Sequence, residues 1–68
     1  MKVGDLVTLS SKGWSNKGNV GVREKVGVIL EIKGADYKLP YNIRWFNVPV
    51  LTAFNGHLRM KRYEIKKA

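Results

Sequence analysis

Val26-Gly27-Val28-Ile29-Leu30-Glu31-Ile32-Lys33 decides the fold class. Its even positions, Val26, Val28, Leu30 and Ile32, are all aliphatic, while Gly27, Ile29, Glu31 and Lys33 fill the other face. That is the period of two a β-strand imposes, because successive side chains point to opposite sides of a sheet. A helix needs apolar residues at i, i+3, i+4 and i+7 over a window of about 11 residues, and glycine or proline interrupts every candidate in this chain.

The same period extends outward from this stretch. Gly4-Asp5 is a turn pair that starts a first strand, Leu6-Val7-Thr8-Leu9, with Val7 and Leu9 facing inward. Gly34-Ala35-Asp36 turns the chain, and Pro40 suits the first position of a strand, where no ladder donor is needed. Tyr41, Ile43 and Trp45 then alternate with Asn42, Arg44 and Phe46. Residues 50–54 and 57–60 flank Asn55-Gly56, the dipeptide that reaches positive φ at least cost and favours a type I′ hairpin, with Leu58 and Met60 facing the core. Tyr63 and Ile65 supply a last short strand before the basic tail 66–68.

Five short strands with no helix between them predict an all-β fold: a small five-stranded antiparallel barrel, since a flat sheet would leave one face and both edges bare. Residues 1–68 form one domain, because a second core would lack the apolar surface to offset its own ordering entropy. The exception to the strand pattern is the long basic loop 10–25, polar and carrying Gly13, Gly18 and Gly21. Loops of that length in a small domain are usually functional or mobile.

Composition narrows the function. With no cysteine, disulfides, thiolate metal sites and a cysteine nucleophile are excluded, and a reducing cytoplasm is the expected setting. Neither a signal peptide nor a membrane-length apolar run is present, so no membrane partner is expected. Thirteen basic against five acidic residues give a net charge of +8, a field that attracts polyanions, whether nucleic acid or an acidic protein.

Val3-Gly4-Asp5-Leu6-Val7, the long loop, Gly27-Val28-Ile29-Leu30-Glu31-Ile32, Tyr41-Asn42-Ile43-Arg44-Trp45-Phe46 and Tyr63-Glu64-Ile65 together resemble Src-homology-3-like barrels. Among these the chain looks most like short barrels encoded by tailed phages of marine cyanobacteria, in its opening, its Gly-Val-Ile strand and its Tyr-x-Ile-x-Trp strand. The resemblance covers most of the chain outside residues 10–25 and implies a fold, a phage-encoded accessory role in the host cytoplasm or the virion, and no mechanism. Pro40-Tyr41-Asn42-Ile43-Arg44-Trp45 and His57-Leu58-Arg59 are also similar to strands of the ferredoxin-thioredoxin reductase variable chain and of a photosystem I subunit that helps dock ferredoxin. The chain departs from both in loop lengths and at Val48-Pro49-Val50, so only the idea of a docking subunit carries over. Gly27-Val28 and the basic charge resemble KOW-type nucleic-acid barrels.

No chemistry-bearing constellation emerges from the residues. His57 is the sole histidine and lacks a second ligand at metal spacing, which leaves it a solvated hairpin residue. Ser10, Ser11 and Ser15 have no base, the loop glycines spell no phosphate-cradling motif, and Asp5, Glu24, Glu31, Asp36 and Glu64 are scattered. A non-enzymatic module with no cofactor and no small-molecule substrate is therefore expected.

Binding chemistry is better represented. Lys12, Trp14, Lys17, Arg23 and Lys25 combine an aromatic face with cations, the pairing that stacks a base and holds phosphates; alternatively Trp14 folds back to cap the barrel and the lysines are merely solvated. Arg44 and Phe46 should face outward, a contact patch for a protein or a base unless the barrel or the loop covers them. Arg59, Lys61, Arg62, Lys66 and Lys67 either line a phosphate path or form a solvated basic tail. Two functions follow: a nucleic-acid-binding barrel of slight specificity, or a docking or virion-assembly module that meets an acidic protein through a sheet edge or Phe46. An unpaired edge strand also leaves a homo-oligomer open.

Overall fold

The computed structural model of the chain describes residues 1–34, 36–48 and 56–68. Five strands, β1 (Leu6–Leu9), β2 (Gly27–Ile32), β3 (Tyr41–Trp45), β4 (His57–Met60) and β5 (Ile65–Lys67), form one antiparallel sheet in the order β4-β3-β2-β1-β5. The sheet is a meander whose last strand returns to the first: Leu9 pairs with Ile65 and Val7 with Lys67. This is the small all-β, five-stranded, barrel-like fold expected from the sequence. Among the described residues no helix is long and apolar enough to cross a membrane.

Turn chemistry brackets the strands as the sequence requires. Gly4 adopts φ 94°, and its N–H donates to the carbonyl of Ile29 at 2.8 Å. The Tyr37 N–H closes the β2–β3 reversal on the Gly34 carbonyl at 3.1 Å. Gly56 adopts φ 82° immediately before β4. The hairpin expected at Asn55-Gly56 and its strand 50–54 lie outside the described residues; the pairing partner of β4 is β3, with Ile43 opposite Leu58 and Tyr41 opposite Met60.

The core consists of Val7, Leu9, Val22, Ile29, Ile43, Trp45, Met60 and Ile65, with Tyr41 and Leu58 packed against it. Burying each such side chain is worth about 1.5–3 kcal/mol, so the core faces of β1, β3 and β4 follow directly from alternation.

In β2 the inward face is not the aliphatic one. Gly27 and Ile29 turn inward, while Val26 and Leu30 are exposed. The cause lies across the ladder, where Gly27 pairs with Trp45, the largest core residue. A Cβ on Gly27 would stand 2.6 Å from Ile43 Cγ2 and 3.0 Å from Trp45 Cδ2, so the glycine supplies the space that the indole fills. A bulge between Ile29 and Glu31 then shifts the register, which lets Ile32 also pack on the core.

Two further expectations are corrected. The segment 10–25 is not an open loop, and helical turns do intervene between strands: it holds a short helix α1 (Ser11–Ser15) and a 3-10 helix (Lys17–Val22). Tyr63 belongs not to a strand but to a 3-10 turn, Arg62–Glu64, so that β5 begins only at Ile65.

Candidate functional site

The segment between β1 and β2 is organised around one buried carboxylate. Glu64 is 5% exposed. Its Oε2 accepts hydrogen bonds from Asn19 Nδ2 at 2.9 Å and Asn16 Nδ2 at 3.1 Å, and its Oε1 accepts one from the Lys61 N–H at 3.0 Å. Burying a carboxylate is costly unless donors replace its water, and these three do. Asn19, itself buried, also donates to the Gly13 carbonyl at 2.9 Å.

Ser10 completes the attachment. Its N–H donates to the Glu64 carbonyl at 2.9 Å, and its hydroxyl donates to the Tyr63 carbonyl while accepting from the Gly13 N–H at 3.2 Å as the N-cap of α1. Gly13 is required by contact: a Cβ there would fall 2.0 Å from the Glu64 carbonyl oxygen. Val22 anchors the far end of the segment in the core.

Fixing α1 in this way settles where Trp14 goes. It does not cap the core; its side chain is on the surface, 41% exposed. The Arg23 guanidinium lies over its ring, 5.7 Å from the centroid, and Arg23 Nε and Nη2 both donate to the Trp14 carbonyl, at 3.0 and 2.7 Å. Trp14 lines an open cavity of about 360 Å³ together with Thr8, Ser10, Glu24, Lys25 and Lys66. On the Arg62–Glu64 turn, Tyr63 is 53% exposed and carries two cations, Lys12 Nζ at 5.5 Å and Lys61 Nζ at 5.6 Å from its ring centroid. Both groups are carried by the contact between α1 and the Arg62–Glu64 turn, Trp14 and Lys12 by the helix and Tyr63 and Lys61 by the turn and the residue before it.

The structure therefore forms two groups, Trp14 with Arg23, Lys25 and Lys66 at the cavity and Lys12 with Lys61 around Tyr63, and leaves the remaining candidates apart. Lys17 is exposed on the 3-10 helix. Arg59 pairs with Glu31 at 3.3 Å, and Arg62 Nη1 donates to the Ile65 carbonyl at 3.3 Å, so both have local duties. Lys67 stands 3.9 Å from Asp5. Arg44 and Phe46 are exposed as expected, but neither lines the cavity; Arg44 sits in a row on the outer face with Val28 and His57 as its cross-strand neighbours.

At Glu31 the Lys33 ammonium, hydrogen-bonded to the carboxylate with Nζ 3.0 Å from Oε2, holds the pKa below the ordinary value, with a further contribution from Arg59. Among the described residues no cluster of His, Asp and Glu gathers at metal-binding density. Tyr63 and Glu64 are the site residues that strand patterning misassigns. The sequence signal for Glu64 is its place three residues after Lys61, the spacing at which a carboxylate reaches back to the N–H that precedes a helical turn.

Comparison with protein-family models, with curated proteins and with solved structures finds no match to this chain.

Proposed function

We propose that this chain is a non-enzymatic accessory module that binds nucleic acid through the face built by α1, the Arg62–Glu64 turn and the cavity beside Trp14. The observation that carries the reading is the Trp14–Arg23 pair: an exposed indole with a guanidinium fixed over its ring, beside a cavity edged by Lys25 and Lys66. Aromatic rings with cations around them suit a strand of nucleic acid, because bases stack on the rings while ammonium groups neutralise phosphates. Tyr63, between Lys12 and Lys61, offers a second platform of the same kind.

Cations on this face are available to phosphates. Of the five carboxylates, Glu31 and Asp5 are engaged in ion pairs and Glu64 is buried, whereas Lys12, Lys25, Lys61 and Lys66 form no salt bridge among the described residues. The resemblance of the strands to small phage barrels is compatible with an accessory role in the infected cell or the virion.

The test is fluorescence anisotropy with labelled single- and double-stranded DNA and RNA at low and physiological salt, alongside Trp14→Ala. Micromolar or tighter binding that survives physiological salt and weakens in the variant supports the reading. Binding that vanishes at physiological salt in the parent protein refutes it and redirects the search to an acidic protein partner.

A further inference from the structure

The cavity beside Trp14 contains a carboxylate, which a phosphate-binding cavity should not. Glu24 lines it with Lys25 and Lys66, is exposed, and has no side-chain hydrogen bond or ion pair among the described residues. Its backbone adopts φ 61°, a left-handed conformation that disfavours side chains and where glycine or asparagine is the relaxed choice. The turn is held by the Lys25 N–H on the Val22 carbonyl at 3.2 Å and by the Phe46 N–H on the Val26 carbonyl at 2.9 Å. A glutamate is thus kept in an unfavourable backbone geometry at the one cavity wall where it repels anions.

Resting on the nucleic-acid reading, we infer that the cavity is a base pocket in which Glu24 selects unpaired bases bearing an exocyclic amino group, with phosphates kept to the cationic rim. The chemistry of the lining divides in this way. A phosphate placed inside meets Glu24, whereas a base placed against Trp14 can give its amino hydrogens to that carboxylate, the pairing that side-chain carboxylates make with cytosine N4. Thymine and uracil present carbonyl oxygens at the corresponding positions, which the carboxylate repels.

Arg23 is equipped to complement this selection. A guanidinium has five N–H donors, and Nε and Nη2 each use one on the Trp14 carbonyl, so the remaining donors sit on a group already fixed in orientation. They can reach the phosphate that follows the stacked base. A duplex hides its amino groups in base pairs and cannot offer an unstacked ring, so the pocket selects single strands.

The experiment uses the full chain and labelled homopolymers of about ten nucleotides, within the range that one small barrel accommodates. Oligo-dC and oligo-dT are the informative pair, since both are pyrimidines of similar stacking area. At physiological salt oligo-dC should bind at least about fivefold tighter than oligo-dT, the low end of a base-discriminating hydrogen bond. Glu24→Gln, which removes the charge at an exposed position, should bring the two within about twofold by raising oligo-dT affinity. Thermal melting confirms that the variant remains folded. Equal affinities in the parent protein overturn the inference and leave the nucleic-acid reading standing, as does discrimination that persists unchanged in Glu24→Gln. Failure of every oligonucleotide to bind overturns both.

Discussion

Gly13→Ala sets two effects of opposite sign against each other. In an unobstructed helix the exchange stabilises by about 1 kcal/mol, because alanine loses less backbone entropy on folding. In α1 the new Cβ would stand 2.0 Å from the Glu64 carbonyl oxygen, 2.9 Å from its carbonyl carbon and 3.1 Å from its Cα. These are backbone atoms and cannot rotate aside, so α1 must lift from the Arg62–Glu64 turn. Lifting it stretches the Ser10 N–H bond to the Glu64 carbonyl and the Asn19 bond to the Gly13 carbonyl, both 2.9 Å in the parent. Overpacking costs about 2 kcal/mol and one weakened buried hydrogen bond about 1 kcal/mol. Against the propensity gain this leaves a net loss of about 2 kcal/mol. In a domain of this size that lowers Tm by roughly 8–16 °C. Thermal and urea denaturation followed by far-ultraviolet circular dichroism measure it, with Gly18→Ala as the control, since a Cβ there meets only the Asn16 side chain at 3.3 Å. A Gly13→Ala protein as stable as the parent would refute the close seating of α1 on Glu64.

The remaining predictions concern the buried carboxylate, the binding face and one titration. Glu64→Gln should cost about 1–3 kcal/mol in urea denaturation, because its amide nitrogen must confront either the Lys61 N–H or the two asparagine amides; an unchanged midpoint would remove Glu64 from its central place. Trp14→Ala should weaken oligonucleotide binding by about 1–3 kcal/mol, roughly five- to 150-fold, with little change in melting temperature because the ring lies outside the core. Lys66→Ala should lower the log-log salt slope of binding by about one, whereas Arg59→Ala, whose cation serves Glu31, should leave the slope in place. For Glu31, Lys33 depresses the folded-state pKa, so the pair stabilises the protein above the ordinary carboxylate range and that contribution is lost as pH falls through the lowered value. Lys33→Met should therefore move the Glu31 midpoint upward in a carbon-detected NMR titration, and a midpoint that stays put would exclude Lys33 as the cause.

The sequence made β1, β3 and the core residues of β4 legible because alternation in those segments coincides with burial: Val7 and Leu9, Ile43 and Trp45, and Met60 are all buried. In β2 alternation misleads. The face richer in aliphatic residues is not the one that turns inward, and the deciding residue is Gly27, whose value lies in what it makes room for on another strand. Local pattern carries no information about a cross-strand neighbour's volume. The organisation of residues 10–25 was illegible for a related reason. Ser10, Gly13, Asn16 and Asn19 look like loop composition, yet each is specified by contact with the Tyr63–Glu64 backbone or the Glu64 carboxylate, about fifty positions downstream. The cations and Trp14 were visible as binding chemistry from residue type alone. Which of them share a face was not, since that depends on the same long-range attachment.

That attachment bears on how the proposed site would work. A tryptophan and an arginine on a mobile loop would lose conformational freedom on binding, at about 0.5–1.5 kcal/mol for each immobilised side chain. Here that ordering is done during folding. Glu64 holds Asn16 and Asn19, Asn19 holds the Gly13 carbonyl, and the carbonyl of Trp14 holds Arg23 over the indole. Hydrogen bonds, joined by the peptide link from Gly13 to Trp14, thus connect a buried carboxylate to the Arg23 guanidinium. Removing Trp14 takes away only the end of this connection and should leave the fold intact. Removing Glu64 takes away its origin, and binding and stability should fall together. The contrast between those two variants separates a preorganised site from a flexible basic patch, for which affinity would follow total charge and be indifferent to Glu64.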